Sequence, residues 1–175
     1  DEARARRVAE RLLAPEVFSG WGLRTMATSE GGYNPLSYHN GSVWPHDTSL
    51  AIAGLARYGL TEEAAMLAGG LLAALAASAD RRLPELFSGH STDEAPFPVE
   101  YPTANRPQAW ATGSVFLLLT AMLGLDAGVP DLAGTPFLPP QVTRLRIDGL
   151  RIGEGRRALE VRREEGAARR SEVPR

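Results

Sequence analysis

Long polar loops alternate with apolar helical segments over the first 125 residues, and this alternation restricts the fold more than any other feature. Helical patterns occupy residues 3–13, 45–58, 62–79 and 107–123. A tight turn at Gly59 separates the middle two, whereas residues 15–44 and 81–106 form long loops rich in Gly, Ser, Asn and Pro. Loops of this length are uncommon in a compact domain unless they carry function. The pattern predicts a mainly all-α fold of αα-toroid type, with the long loops gathered on one face.

The helical pattern gives way to an alternating one after residue 126. Residues 143–153 and 158–163 place apolar side chains at alternate positions, with Gly153 and Gly155 between the two segments. This arrangement predicts a β-hairpin. We therefore divide the chain into helices and active-site loops (1–126), a linker with a β-hairpin tail (127–165), and a charged end (166–175) that we predict to be disordered.

The composition excludes several classes of protein. A net charge of -2 gives no general attraction to nucleic acid or acidic membranes, and all 19 basic residues are Arg, which indicates a coding bias. The absence of Cys excludes disulfides and thiolate chemistry. No apolar run approaches the ~18 residues needed to cross a bilayer, and we expect a cytoplasmic location. The chain begins at Asp1 inside a helical pattern without a signal peptide, so we expect a piece of a longer protein.

The two loops hold the side chains suited to binding sugars. The first loop carries Tyr38, His39, Asn40 and Trp44, and Gln108 and Trp110 come directly after the second. Aromatic rings stack on the apolar face of a pyranose, while amides and carboxylates bind its hydroxyls. Each Trp could equally pack in the core at a helix start, and His39 could equally form a loop-stabilising hydrogen bond.

Four motifs occur in a fixed order along the chain. They are SGWGLRT at 19–25, YHNGSVWPHD at 38–47, RLPELF at 82–87 and PQAWA at 107–111. This ordered set resembles the C-terminal part of bacterial amylo-α-1,6-glucosidase and glycogen-debranching proteins, whose barrel is similar to mannosylglycerate hydrolase and glucoamylase. The resemblance implies the C-terminal portion of an (α/α)6 toroid with a small C-terminal β-hairpin. It also implies inverting hydrolysis by two carboxylic acids.

Glu85 matches the position of the general base in this family. Its surroundings agree, because it follows Pro84 in a loop and no helical periodicity assigns it to a solvated face; the alternative is an ordinary surface glutamate. The general acid of the family is an Asp on an earlier helix, which is expected to precede residue 1. Asp47 is better explained as the N-cap of a helix, and Asp93 and Glu94 as solvated loop charges.

The remaining site residues are assigned to substrate contact. They are Tyr38, His39, Asn40, Trp44, Gln108 and Trp110. We expect neither a cofactor nor a metal, because the spacing of His39 and His46 fits no helical ligand pair and His90 is remote.

The predicted function is that of an α-glucan debranching glycoside hydrolase, inactive without its N-terminal part. Its expected partners are an α-glucan oligosaccharide or polysaccharide and that missing part, with no nucleic acid and no membrane. The alternatives are a non-catalytic carbohydrate-binding αα-toroid module and a hydrolase of small glucosyl- or mannosylglycerate-type substrates. A cyclase of the αα-toroid type would need Asp-rich or Cys/His metal sets that the sequence does not supply.

Overall fold

The computed structural model describes residues 1–125, 134–152, 154–164 and 166–173. Within these ranges, four helices precede a three-stranded sheet. The helices are α1 (Glu2–Leu13), α2 (Pro45–Arg57), α3 (Thr61–Ala77) and α4 (Ala109–Met122). The strands are β1 (Arg144–Ile152), β2 (Gly155–Glu164) and β3 (Ala167–Val173).

Helix α2 packs against both α3 and α4, and the interior of the helical part lies between them. Ile52 and Leu55 of α2 and Leu67 and Leu71 of α3 are at most 5% exposed and belong to one core cluster. Burying one such side chain contributes about 1.5–3 kcal/mol. Gly59 takes a positive φ of 74° between α2 and α3, which a residue with a side chain would adopt only with strain.

The first loop lies directly on α3 because a glycine opens the helix surface. A Cβ at Gly70 would stand 2.4 Å from the carbonyl oxygen of Gly20. The backbone of the loop therefore reaches the helix at a distance that only glycine allows. This contact brings the SGWG motif of the sequence against the core rather than leaving it in solvent.

The two long loops are joined by backbone pairing, and we call the paired segments the loop ribbon. Isolated antiparallel bridges connect Arg24 with Val43, Val43 with Phe87, and Phe87 with Glu100. The amide of Val43 donates to the carbonyl of Phe87 at 2.9 Å, and the reverse bond measures 3.0 Å. Four short segments thus lie side by side, and their pairing holds the first and second loops in a fixed relation.

The C-terminal sheet is antiparallel in the order β1-β2-β3. Leu159 and Val161 of β2 are fully buried and join the helical core, with Leu145 and Ile147 of β1 packed beside them. Apolar residues at alternate positions face the core because successive side chains of a strand point to opposite faces. The antiparallel pairing predicted for residues 143–163 is confirmed.

The predicted fold class is wrong. The sequence patterns indicate a mainly all-α chain forming part of an (α/α)6 toroid. The described residues instead combine four helices with a loop ribbon and a three-stranded sheet. Hydrophobic periodicity detects helices and alternating strands, but it does not detect polar loops whose backbones bond to each other. The pattern therefore gives no sign of the loop ribbon, nor of the mixed character of the fold.

The charged C-terminal end is also different from its prediction. The sequence predicts disorder over residues 166–175, but strand β3 pairs with β2. Ala158 lies opposite Val173 at one end of this pairing, and Glu164 lies opposite Ala167 at the other. Arg157 and Glu172 form an ion pair of 2.8 Å across this edge. Backbone hydrogen bonds supply the stability of the strand, so its charged side chains are compatible with an exposed sheet edge. The predicted linker at residues 127–133 lies outside the described residues.

The start of α2 also differs in detail. Trp44 is the N-cap, without a side-chain cap, and Pro45 takes the first helical position. The prediction that Asp47 caps this helix is therefore wrong, because the fixed φ of Pro45 suits the first helical position and Asp47 lies within the first turn. None of the helices in the described ranges is both long and apolar enough to cross a bilayer.

Candidate active site

The loop ribbon holds Glu85 at the junction of the two loops. Glu85 lies two residues before Phe87, whose backbone is bonded in both directions to Val43. Its own amide donates to the carbonyl of Asn105 at 3.1 Å. With its backbone held on two sides, Glu85 is buried at 4% exposure.

Four donors converge on the Glu85 carboxylate. Oε1 accepts from the Tyr38 hydroxyl at 2.8 Å and from Nε2 of Gln108 at 3.4 Å. Oε2 accepts from the backbone amide of Asn105 at 3.0 Å and from its side-chain Nδ2 at 2.9 Å. A carboxylate offers about four lone-pair positions, so this one is close to saturated. The Gln108 contact is the longest of the four.

These bonds keep Glu85 ionised. The backbone amide of Asn105 contributes most to lowering the pKa of Glu85, burial opposes it, and Tyr38, the Asn105 side chain and Gln108 lower it further. The net pKa lies below the ordinary value of a glutamate. The same hydrogen bond raises the pKa of Tyr38, which therefore stays a donor. An ionised carboxylate at neutral pH can accept a proton but cannot supply one.

Gln108 has a second contact that fixes its position. Its Oε1 accepts from the amide of Ala109 at 2.9 Å, so Gln108 is the N-cap of α4. The amide nitrogen at the other end of the side chain is thereby directed to Glu85. The same Gln108 side chain therefore caps the start of α4 and donates to the Glu85 carboxylate.

Aromatic rings surround Tyr38. The ring of Trp44 meets it edge-on at a centroid distance of 5.0 Å, and that of Tyr101 at 5.8 Å. The His39 ring lies parallel to Trp44 at 5.9 Å. Trp44 is only 6% exposed, and its Nε1 donates to Ser42 Oγ at 3.0 Å. Trp44 thus belongs to the core and supports the rings around it.

Trp110 extends this group of rings toward solvent. It meets Trp44 edge-on at 5.6 Å and lies against the His46 ring at 4.8 Å. Unlike Trp44, it is 44% exposed. A half-exposed indole in the first turn of α4 offers surface on which a sugar ring can stack.

The structure brings most of the predicted residues together. Glu85, Tyr38 and Gln108 share hydrogen bonds, and ring contacts link Tyr38 to His39, Trp44 and Trp110, the last through Trp44.

Asn40 stands apart from this group. It is exposed, and its hydrogen bonds among the described residues are those of its backbone, to Ser37 and from Asn34. These bonds stabilise the turn of the first loop. A substrate contact by the Asn40 side chain stays a prediction.

Sequence reasoning missed three members of the site. Asn105 holds the carboxylate, Tyr101 packs on Tyr38, and His46 covers Trp110. Asn105 and Glu85 are 20 positions apart in an irregular loop, where no periodicity relates them. Only the folded backbone pairs them.

Asp47 and His90 each contact a neighbouring side chain other than Glu85. Asp47 is 63% exposed and lies 3.7 Å from His46, while His90 Nδ1 lies 2.8 Å from Ser88 Oγ. Over the ranges that the structure describes, no three His, Asp or Glu residues are placed to hold a metal ion together.

The buried Glu85 carboxylate, the amides that donate to it and the aromatic rings around Tyr38 together form the candidate site. The family model of the mannosylglycerate hydrolase MGH1-like glycoside hydrolase domain matches residues 1–96. The chain belongs to this family, which confirms the resemblance to mannosylglycerate hydrolase-like enzymes. No curated protein matches the chain. The chain therefore carries a glycosidase-type domain, and its substrate is a carbohydrate.

The matched segment contains only part of the site. Glu85, Tyr38 and Trp44 lie within residues 1–96, whereas Asn105, Gln108 and Trp110 lie beyond them. The matched segment thus supplies the Glu85 carboxylate and the rings of Tyr38 and Trp44. The amides that hold the carboxylate come from the following one.

Proposed function

We propose that Glu85 is the general base of an inverting glycoside hydrolase. The observation that carries this proposal is the buried, ionised Glu85 carboxylate held among the aromatic rings by Tyr38, Asn105 and Gln108. In an inverting reaction, the base takes a proton from a water molecule as that water attacks the anomeric carbon. A carboxylate that is ionised at working pH is suited to this step and unsuited to protonating the leaving group.

The hydrogen bonds indicate where the attacking water would bind. Three of the four donors lie within 3.0 Å of the carboxylate, and the Gln108 contact at 3.4 Å is the weakest. A water molecule can replace Gln108 at Oε1 while Tyr38 and Asn105 keep the carboxylate in place. Gln108 is then free to bind the water or a sugar hydroxyl.

The acid partner is not assigned among residues 1–175. Asp47 is a poor candidate, because it is exposed in the first turn of α2, where the helix dipole favours its ionised form. The two carboxyl groups of an inverting enzyme stand roughly 6.5–9.5 Å apart, with room for the water between them.

We propose that substrate contacts come from Trp110, His39, Asn40 and Gln108, with Tyr38 and Trp44 behind them. Trp110 is half-exposed, and His39 and Asn40 are exposed. The half-exposed ring can stack on a pyranose, and the polar groups can bind hydroxyls. Trp44 contributes by packing, since its ring is buried.

The proposed substrate is an α-glucan branch point, hydrolysed as in amylo-α-1,6-glucosidases. This proposal is based on the ordered motifs of the two loops. A second candidate is a small glycosyl-glycerate, and the family match over residues 1–96 favours it. Hydrolysis of either substrate requires the same base, so the two candidates differ only in which sugar the proposed substrate contacts bind.

The substrate and stereochemistry can be tested together on the protein expressed from its complete coding sequence. The assay compares an α-1,6-branched glucan oligosaccharide with mannosylglycerate and glucosylglycerate, and proton NMR records the first anomer released. We expect the β-anomer of the sugar from an α-linked substrate, because attack on the opposite face inverts the configuration. Release of the α-anomer first would contradict the inverting mechanism. Binding of a sugar without turnover of any substrate would favour a non-catalytic module.

The role of Tyr38 can be tested through the pH profile. The lowered pKa of Glu85 keeps the active, ionised form present down to acidic pH, and kcat/KM falls only as pH drops through that pKa. Tyr38→Phe removes one donor to the carboxylate, so we expect the acidic limb to move to higher pH. Tyr33→Phe is the matched control, since the Tyr33 hydroxyl donates to the carbonyl of Gly89 instead. An acidic limb that moves equally in both variants would argue against the Tyr38 contact.

A further inference from the structure

We propose that an ionic clamp at the base of the second loop positions Asn105 and, through it, the carboxylate of Glu85. The clamp comprises Ser78, Asp80, Glu100 and Arg106. This proposal rests on the proposed role of Glu85 as the base, and it assigns Arg106 and Asp80 as positioning residues that do not touch the substrate.

The guanidinium of Arg106 is the centre of the clamp. Its Nε donates to Asp80 at 3.3 Å, and one terminal nitrogen contacts both the other oxygen of Asp80 and the hydroxyl of Ser78, the latter at 2.6 Å. The second terminal nitrogen donates to Glu100 at 3.0 Å. The planar fork of Arg is thus engaged on both sides, which fixes its orientation as well as its distance.

The clamp joins the two ends of the second loop. Ser78 is the C-cap of α3 and Asp80 lies two residues after it, while Arg106 lies two residues before Gln108, the N-cap of α4. The Asp80 carboxylate also accepts from the Ser78 hydroxyl and from the amide of Arg82. The 81–106 loop is therefore closed at its base by side chains from both ends. Exposed ion pairs contribute little to stability, so geometry is the main effect expected of the clamp.

Asn105 connects the clamp to the site. It precedes Arg106 in the chain, and it makes three hydrogen bonds with Glu85. Its amide and side chain donate to Oε2, while its carbonyl accepts from the Glu85 amide. A shift of Arg106 displaces its neighbour, so loss of the clamp loosens the donors that hold the carboxylate.

Titration of Glu85 reports this displacement. The Asn105 backbone amide is the largest contribution to the lowered pKa of Glu85, so its loosening raises that pKa. Tyr38 is the titratable group that faces the carboxylate, and the rings of His39 and Tyr101 pack on Tyr38. Arg106 holds the pKa of Asp80 well below its usual range, so the clamp stays charged over the working pH range.

Two substitutions of Asp80 separate positioning from electrostatics. Asp80→Ala removes the acceptor oxygens, whereas Asp80→Asn removes the charge but keeps an acceptor for Arg106. Through-space electrostatics predicts that both variants lower the pKa of Glu85, because a negative charge is lost in each. Positioning by the clamp predicts a raised pKa in Asp80→Ala and recovery toward the wild-type value in Asp80→Asn. Carbon-13 NMR of the Glu85 carboxyl, assigned with Glu85→Gln, measures both.

Two further variants distinguish an effect of the clamp on the pKa of Glu85 from a general disturbance of folding. Arg106→Lys keeps the charge but loses the fork, and we expect it to raise the pKa of Glu85 as Asp80→Ala does. Glu172→Ala removes the partner of Arg157 at the sheet edge, and we expect no shift. An unchanged pKa in Asp80→Ala and Arg106→Lys, or equal shifts in both Asp80 variants, overturns the clamp. Because the titration needs no turnover, it stands even if Glu85→Gln proves fully active and the proposed function fails.

Discussion

Replacement of Glu85 by Gln is expected to lower kcat for glycoside hydrolysis by at least ~100-fold, the lower end of the range for general-base catalysis. The amide cannot take a proton from the attacking water, although its size and position are nearly those of the carboxylate. A loss of this size corresponds to about 2.7 kcal/mol of transition-state stabilisation. Sugar affinity should change far less, because Trp110 and the exposed polar side chains are unaltered. Steady-state kinetics and calorimetric titration with the oligosaccharide measure the two effects separately.

The matched control for this substitution lies in the same loop. Glu94 is an exposed carboxylate that accepts hydrogen bonds from Ser91, and hydrogen bonds from Ser91 lower its pKa as well. Glu94→Gln should leave kcat unchanged. Hydrolysis that is equally fast in wild type and Glu85→Gln shows that Glu85 is not the base. Thermal unfolding of both variants identifies any loss caused by altered folding, since the NH₂ group that Glu85→Gln introduces would face donors rather than acceptors.

The second large effect is expected at the centre of the loop ribbon. Phe87→Ala should reduce the free energy of unfolding by about 3–5 kcal/mol, as expected for the loss of a fully buried aromatic ring. Phe87 is 1% exposed, and its backbone bridges Val43 on one side and Glu100 on the other. A cavity here also loosens the segment that carries Glu85, so hydrolysis should fall with stability. Urea denaturation followed by circular dichroism gives the free energy.

Phe116→Ala is the control for Phe87→Ala, because it makes the same change of side chain at an exposed position. Phe116 lies in α4 and is 68% exposed, so the same truncation leaves no internal cavity. We expect its free energy of unfolding to change by no more than ~0.5 kcal/mol, as for most surface substitutions. Similar losses in the two variants would show that the ribbon is not packed around Phe87.

Part of the candidate site can be predicted from the sequence. The rest cannot, because it depends on residues that belong to no short motif. Glu85, Tyr38 and Gln108 can be identified because their short motifs are continuous and occur in order. Asn105 belongs to no such motif, yet it contributes two of the four hydrogen bonds to the carboxylate. The sequence also leaves open the burial of Trp44 and the exposure of Trp110, because both lie at helix starts where either is common.

The sequence by itself determined the local elements of this protein. The helical segments at 45–58 and 62–79 and the antiparallel pairing in 143–163 follow from periodicity, prolines and glycines within short windows. Each of these signals acts between near neighbours, so it can be read without knowing the fold.

Only the tertiary structure decided the loop ribbon, the third strand and the surroundings of Glu85. The loop ribbon and the surroundings of Glu85 depend on hydrogen bonds and contacts between distant segments, as in the Tyr38–Glu85 bond across 47 positions. The third strand pairs locally with β2, with Glu164 opposite Ala167, but its charged sequence has no alternating apolar pattern that would reveal it. Many of these bonds form between main-chain groups that every residue carries, so their partners have no signature in residue type. The pKa of Glu85 depends on those bonds as well. The sequence therefore identifies the carboxylate, and the fold makes it a candidate base.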